Sequence, residues 1–304
     1  MIYKLKNSVN NKIELPEELG IELYMKRDDL IHPHISGNKY RKLKYNIQVA
    51  QKLNSKVLLT FGGAFSNHIA AVASVGKEYG FNTIGIIRGE ELVNKVNENH
   101  TLKFARSCGM QFKFISRSDY REKTKDSFIN ELKEEFGKFY LIPEGGTNDL
   151  AVKGCEEILT KKEAEFDFIC CAVGTGGTIS GLINSSTSSQ QVLGFPALKG
   201  DFLKNEIVKF ANKTNWKLVH DYHFGGYAKV SIELIEFINA FKKNTGIPLD
   251  PVYTGKMMFG IFDLMDKGFF PKESKILALH TGGLHGIQGM NNFLVKKNLP
   301  ILSI

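Results

Sequence analysis

The chain has one tryptophan, eight prolines and four cysteines in 304 residues, and what it lacks excludes several classes. Cys108, Cys155, Cys170 and Cys171 form no CxxC pair, and two of them are adjacent, which suits neither a zinc site nor a disulfide framework. They are read as reduced thiols, and no metal is expected. No window supplies the roughly 18 uninterrupted apolar residues of a membrane-spanning helix, and the opening Met-Ile-Tyr-Lys-Leu-Lys does not resemble a signal peptide. The expectation is a soluble, cytoplasmic protein without a membrane partner. The Walker spacing GxxxxGK[ST] is missing, and so is the full GxGxxG spacing of a dinucleotide site. No RRM, KH or zinc-finger motif is present and the lysines are spread along amphipathic stretches, so a nucleic-acid-binding protein is a remote alternative.

What is present is the balance of a folded protein, 42% hydrophobic and 24% charged. The length predicts about two domains with room for a cleft between them. Forty Lys+Arg against 32 Asp+Glu give a formal charge of +8, which fits nucleic acid, an acidic surface or small anions.

Short runs rich in Val, Ile and Phe alternate with longer amphipathic stretches, the pattern of an α/β protein with parallel strands and crossover helices. The expected strands are Lys56–Phe61, Asn82–Ile87, Gln111–Ile115, Phe139–Ile142, Asp167–Val173, Val192–Phe195, Leu218–Tyr222 and Lys275–His280. A helix is expected from Ser36 as its cap, with Tyr40, Leu43, Ile47 and Ala50 recurring at three- and four-residue steps and Lys39 in its first turn.

Glycines punctuate four strand ends: Phe61–Asn67, Pro143–Thr147, Val173–Thr178 and His280–Gly283. In an open parallel sheet, ligands bind beyond the carboxyl ends of strands, where such turns expose amides at helix N-termini. The four turns are therefore expected to share one site. Gly174-Thr175-Gly176-Gly177-Thr178 reads either as a phosphate cup or as a tight turn without a ligand. Lys39 reads either as an amine made nucleophilic by a helix N-terminus or as one of several solvated charges in Lys39-Tyr40-Arg41-Lys42-Leu43-Lys44.

Met25-Lys26-Arg27-Asp28-Asp29-Leu30 and Ser36–Leu43, with Ser66-Asn67-His68, Pro143-Glu144-Gly145-Gly146, Gly174–Thr178, Leu249–Lys256 and His280-Thr281-Gly282-Gly283, resemble the D-cysteine desulfhydrase and 1-aminocyclopropane-1-carboxylate deaminase family. These are pyridoxal-phosphate enzymes of the tryptophan-synthase-β-like fold. The resemblance implies two open twisted parallel-sheet αβα domains, a larger one of residues 1–49 and 164–304 and a smaller one of 50–163, and a homodimer. It implies that Lys39 holds pyridoxal 5'-phosphate as a Schiff base and that Asn67 bonds the ring O3′. Gly174, Thr175, Gly176, Gly177 and Thr178 would hold the phosphate, and Thr281 would face the pyridine nitrogen. Ser66, Asn67, His68, Tyr227, Tyr253 and Thr254 would line the pocket for a small amino acid, with Lys39, Ser66 and Tyr253 catalytic.

In the deaminases of this family a glutamate follows the active-site tyrosine and a leucine precedes the glycine pair. This chain has Thr254 and Thr281 there, as the D-cysteine desulfhydrases do. The implied reaction is β-elimination from D-cysteine to pyruvate, ammonia and sulfide. The alternatives are 1-aminocyclopropane-1-carboxylate deamination and another β-elimination or β-replacement of the same fold. Departures gather near the substrate: Phe65 where relatives usually have glutamine, Ile69-Ala70 after the histidine, Ala228-Lys229-Val230-Ser231 as a shortened loop after Tyr227, and Leu284-His285-Gly286 after the last glycines.

Overall fold

β-Branched and aromatic runs bounded by glycine become strands here because they fill a pleated surface that helices cover on both faces. The computed structural model describes residues 5–303. In chain order the strands are β1 (Asn10–Ile13), β2 (Glu22–Lys26), β3 (Val57–Gly63), β4 (Asn82–Arg88), β5 (Gln111–Ile115), β6 (Tyr140–Ile142), β7 (Phe168–Val173), β8 (Gln191–Pro196), β9 (Trp216–Leu218) and β10 (Lys275–Leu279). The helices are α1 (Asn38–Lys52), α2 (Asn67–Tyr79), α3 (His100–Ser107), α4 (Asp126–Phe136), α5 (Asp149–Glu156), α6 (Gly177–Ser185), α7 (Phe202–Val208), α8 (Ile232–Thr245), α9 (Thr254–Asp266) and α10 (Ile287–Lys296).

Two sheets result. One has the order β5-β4-β3-β6 and is parallel throughout. The other has the order β1-β2-β10-β7-β8-β9 and is parallel except for β1, which runs antiparallel to β2. The larger sheet is sandwiched between one core that includes Leu193, Met257, Ile261 and Ile276 and another that includes Ile169, Ile179, Leu182 and Leu203. The smaller sheet has Leu58, Ile69, Val72 and Leu102 on one face and Leu59, Ile86 and Leu132 on the other. Tyr40, Leu43, Ile47 and Ala50 of α1 join the first of these two faces, so the helix that carries Lys39 is packed on the smaller sheet.

The α/β reading and the parallel sheets hold. Three local expectations change. The strand expected at Leu218–Tyr222 is Trp216–Leu218. Its ladder with β8 ends as Val219 N donates to Gly194 O, and the Tyr222 hydroxyl turns to Asp263 Oδ2 at 2.6 Å. β1 and β2 were not expected, because β1 buries only Ile13 and gives no apolar run. Ser36 does not cap α1: its hydroxyl donates to Asp29 O, and Gly37 takes the N-cap place. Gly37 has φ +60, and a Cβ on it would lie 2.0 Å from Thr281 O, so only glycine lets the start of α1 meet the end of β10. Among the described residues no helix is long and apolar enough to cross a membrane.

Candidate active site

The charged residues of segment 25–30 form buried pairs that fix the start of α1. Asp28, fully buried, accepts both Arg41 Nε and Nη2 at 3.0 Å. Arg27 makes a two-point bond to Asp29 at 2.9 and 2.8 Å, and Lys26 reaches Glu163 at 2.8 Å. A planar guanidinium matched to a carboxylate at two points sets orientation as well as distance. Arg41 lies two residues after Lys39, so its pairing with Asp28 fixes where the first turn of α1 points.

Lys39 Nζ donates to Asn38 Oδ1 at 3.1 Å. Burial and the neighbouring Lys42 charge lower its pKa to about 7, which gives a neutral amine a large population at physiological pH. Lys42, one turn further on, is 2% exposed. Its ammonium donates to Gly145 O and Thr147 Oγ1 at 3.0 Å and to Thr175 Oγ1 at 3.3 Å.

The four glycine turns converge. Thr147 Oγ1 and Thr175 Oγ1 lie 2.6 Å apart, joining the turn after β6 to the turn after β7. Asn38 Nδ2 donates to Thr178 Oγ1 at 2.8 Å, tying α1 to α6. Asn38 N donates to Thr281 O, and a Cβ on Gly283 would lie 3.0 Å from Asn67 Nδ2, which brings the turn after β10 against the start of α2. Lys39, Asn67, Gly174–Thr178 and Thr281 therefore surround one space at the carboxyl ends of both sheets.

The expected pocket residues sort into two groups. Tyr253 and Tyr227 stand edge to face with ring centres 6.2 Å apart. Burial, reinforced by the Tyr227 hydroxyl hydrogen-bonded to it and by Asp250, holds the Tyr253 phenol well above its ordinary range, so it is protonated. Ser66 caps α2, its Oγ accepting from Ile69 N at 3.4 Å, a long bond that a competing anion can displace. His68 and Thr254 face inward instead. His68 is buried with Nε2 2.8 Å from Thr60 Oγ1, and burial keeps it neutral, its pKa well below the usual value. The Thr254 hydroxyl, with no exposed surface, donates to Asp250 Oδ2 at 2.7 Å. Asp250 also accepts from the amides of Val252, Tyr253 and Thr254 at 2.8–2.9 Å, so it fixes the loop that presents Tyr253.

Sequence reasoning did not single out Lys42, Asn38 or Asp250. A one-turn spacing from Lys39 places Lys42 on the same helix face, and Asp250 lies inside the quoted Leu249–Lys256 motif. Phe65 is exposed beside Gly289 of α10. Cys155, Cys170 and Cys171 are buried and all four cysteines are unbridged.

The arrangement fits a phosphorylated aromatic aldehyde. Among the described residues, Asn67 Oδ1 is buried without a hydrogen-bond partner, and the Thr281 hydroxyl has none either. Lys42 brings a buried ammonium, matched by no carboxylate among the described residues, to the Gly174–Thr178 turn, where a Cβ on Gly177 would lie 2.9 Å from Thr147 and 3.3 Å from Lys42 Nζ. A buried cation facing hydroxyls and a glycine loop suits a phosphate.

Comparison with known proteins agrees. Residues 11–282 match the family model described as "Pyridoxal-phosphate dependent enzyme". A Pyrococcus horikoshii protein provisionally named 1-aminocyclopropane-1-carboxylate deaminase is 34% identical over 291 residues, covering 90% of this chain and 87% of its own. The Arabidopsis thaliana bifunctional D-cysteine desulfhydrase/1-aminocyclopropane-1-carboxylate deaminase is 31% identical, covering 88% and 74%. The crystal structure of an ACC deaminase homologue superposes with a TM-score of 0.81 at 31% identity, covering 95% of this chain and 93% of that one. The fold, the lysine at the helix start and these likenesses agree: the chain belongs to the pyridoxal-phosphate dependent enzymes, in the family of 1-aminocyclopropane-1-carboxylate deaminases and D-cysteine desulfhydrases.

Proposed function

We propose that the chain is a lyase that converts D-cysteine and water to pyruvate, ammonia and sulfide. The observation that carries this choice is the pair of threonines. Thr281 presents a hydroxyl with no partner among the described residues, and Thr254 spends its hydroxyl on Asp250, so position 254 offers no acid for ring opening. A hydroxyl opposite a pyridine nitrogen makes a moderate electron sink, which suits elimination. Its relatives' names favour a second reading, 1-aminocyclopropane-1-carboxylate deamination.

In this reading Lys39 is the attachment point, Asn67 bonds the ring oxygen, and the 174–178 turn with Lys42 takes the phosphate. Bound pyridoxal phosphate supplies the sink for negative charge developing at the substrate Cα. Ser66 and the free amides at the start of α2 bind the substrate carboxylate. The neutral Lys39 amine removes the Cα proton, for which a pKa near 7 is well matched. Tyr253, held protonated, donates toward the departing sulfur, and Tyr227 helps to bind the substrate beside it. His68 acts beneath the pocket by supporting the turn after β6, and Thr254 acts through Asp250. The two sheets are proposed as cores of two domains, 50–163 and 1–49 with 164–304, α1 being the part of the latter seated on the smaller sheet. A cytoplasmic homodimer is the proposed working form.

The test is product release from D-cysteine beside L-cysteine and 1-aminocyclopropane-1-carboxylate. Sulfide and pyruvate in equal amounts from D-cysteine, with little 2-oxobutanoate from the cyclopropane, is the expected result. Turnover of the cyclopropane without sulfide from D-cysteine would replace this reading with the second.

A further inference from the structure

Lys256 is 2% exposed and sits in the first turn of α9, where both burial and the helix dipole disfavour a cation. Among the described residues it forms no ion pair. Its ammonium donates to His223 O and Gly226 O, each at 2.8 Å. Each of these carbonyls also accepts a backbone amide, from Gly226 N and Lys229 N respectively. Lys256 thus ties the interior to the exposed loop that carries Tyr227.

That loop needs holding from outside. Phe224, Gly225, Gly226 and Ala228 all have positive φ, at +53, +86, +117 and +56, and Phe224 and Ala228 are side-chain-bearing residues in a disfavoured region. Phe224 anchors the near end by packing edge to face on Phe259 of α9 at 5.0 Å. Beyond it, residues 225 and 227–229 are exposed and only Gly226 is buried. Tyr253 immediately precedes α9, three residues before Lys256. We infer that Lys256 is a positioning residue: one helix end presents Tyr253 directly and, through two carbonyls gripped by Lys256, sets Tyr227 against it. Burial lowers the Lys256 pKa only to about 8, so the amine keeps its proton at neutral pH.

This rests on the substrate-side role proposed above for the two tyrosines. The experiment compares holoenzyme carrying Lys256→Met with Lys256→Arg, which keeps donors. Lys256→Met should raise KM for D-cysteine at least tenfold with kcat changed less than threefold, leave the cofactor absorbance intact, and speed chymotryptic cleavage after Tyr227 about tenfold. Lys256→Arg should restore both readouts to within threefold. An unchanged KM and an equally resistant loop in Lys256→Met would overturn the inference. Absence of D-cysteine turnover by the unmodified enzyme would overturn the functional reading alone, since the cleavage comparison needs no substrate. Should Lys256→Met not fold, amide exchange in the unmodified protein decides. Protection of Gly226 and Lys229 like that of the first turns of α9 is expected, and exchange as fast as an open loop would overturn the inference.

Discussion

Four basic residues within six positions meet four different fates. Arg41 is matched to Asp28, Lys44 to Glu157, Lys42 to three neutral oxygens, and Lys39 to one amide oxygen beside the cleft. Their order in the chain does not reveal this, because solvated and buried lysines are written with the same letter. What separates them is which carboxylates and turns the fold brings within reach. Only Lys39 combines a nearly free amine with a pKa lowered to about 7. Below that value it is protonated and cannot attack an aldehyde; above it the amine is free. The rate at which apoprotein takes up pyridoxal phosphate should therefore rise about tenfold per pH unit up to pH ~7 and then level off. A rate still climbing at pH 9 would mean a solvated lysine.

At the scale of elements, the glycine turns were legible because a strand that ends in or is followed within a few residues by Gly-Gly, ahead of a helix, is a local signal, and β3, β6, β7 and β10 each carry it. β1 and β9, short strands at the two edges of the larger sheet, were missed or misplaced because neither writes an apolar run, and β2 was missed because its parallel partner β10 is distant in sequence. Segment 25–30, which begins at the end of β2, carries part of the family resemblance, and its charges are structural. The Asp28–Arg41 pair fixes α1, and removing one partner of such a pair strands a buried charge. Arg41→Met should lower the unfolding free energy by about 3–5 kcal/mol in denaturant titration, with Asp28→Leu in the same chain recovering part of the loss. A change below about 1 kcal/mol would show that packing of Tyr40, Leu43 and Ile47 alone seats the helix.

For the whole molecule, an excess of eight positive charges left three kinds of anionic partner open. The fold narrows them by placing four strand ends from two sheets around one space, with hydroxyls, amides, half-buried Lys39 and buried Lys42 as its polar lining. That lining does not follow from net charge, which is why the charge alone could not choose among the three. Cofactor holding was readable from motif order, whereas the tyrosine loop was not, since its shape depends on Lys256 reaching across from α9. The central claim is that Lys39, not its buried neighbour Lys42, carries the cofactor. Borohydride reduction of the holoenzyme followed by peptide mass mapping tests it directly. The account predicts loss of the visible band and the reduced pyridoxyl-phosphate mass on Lys39 alone; the same mass on Lys42, or on no lysine of α1, would contradict it.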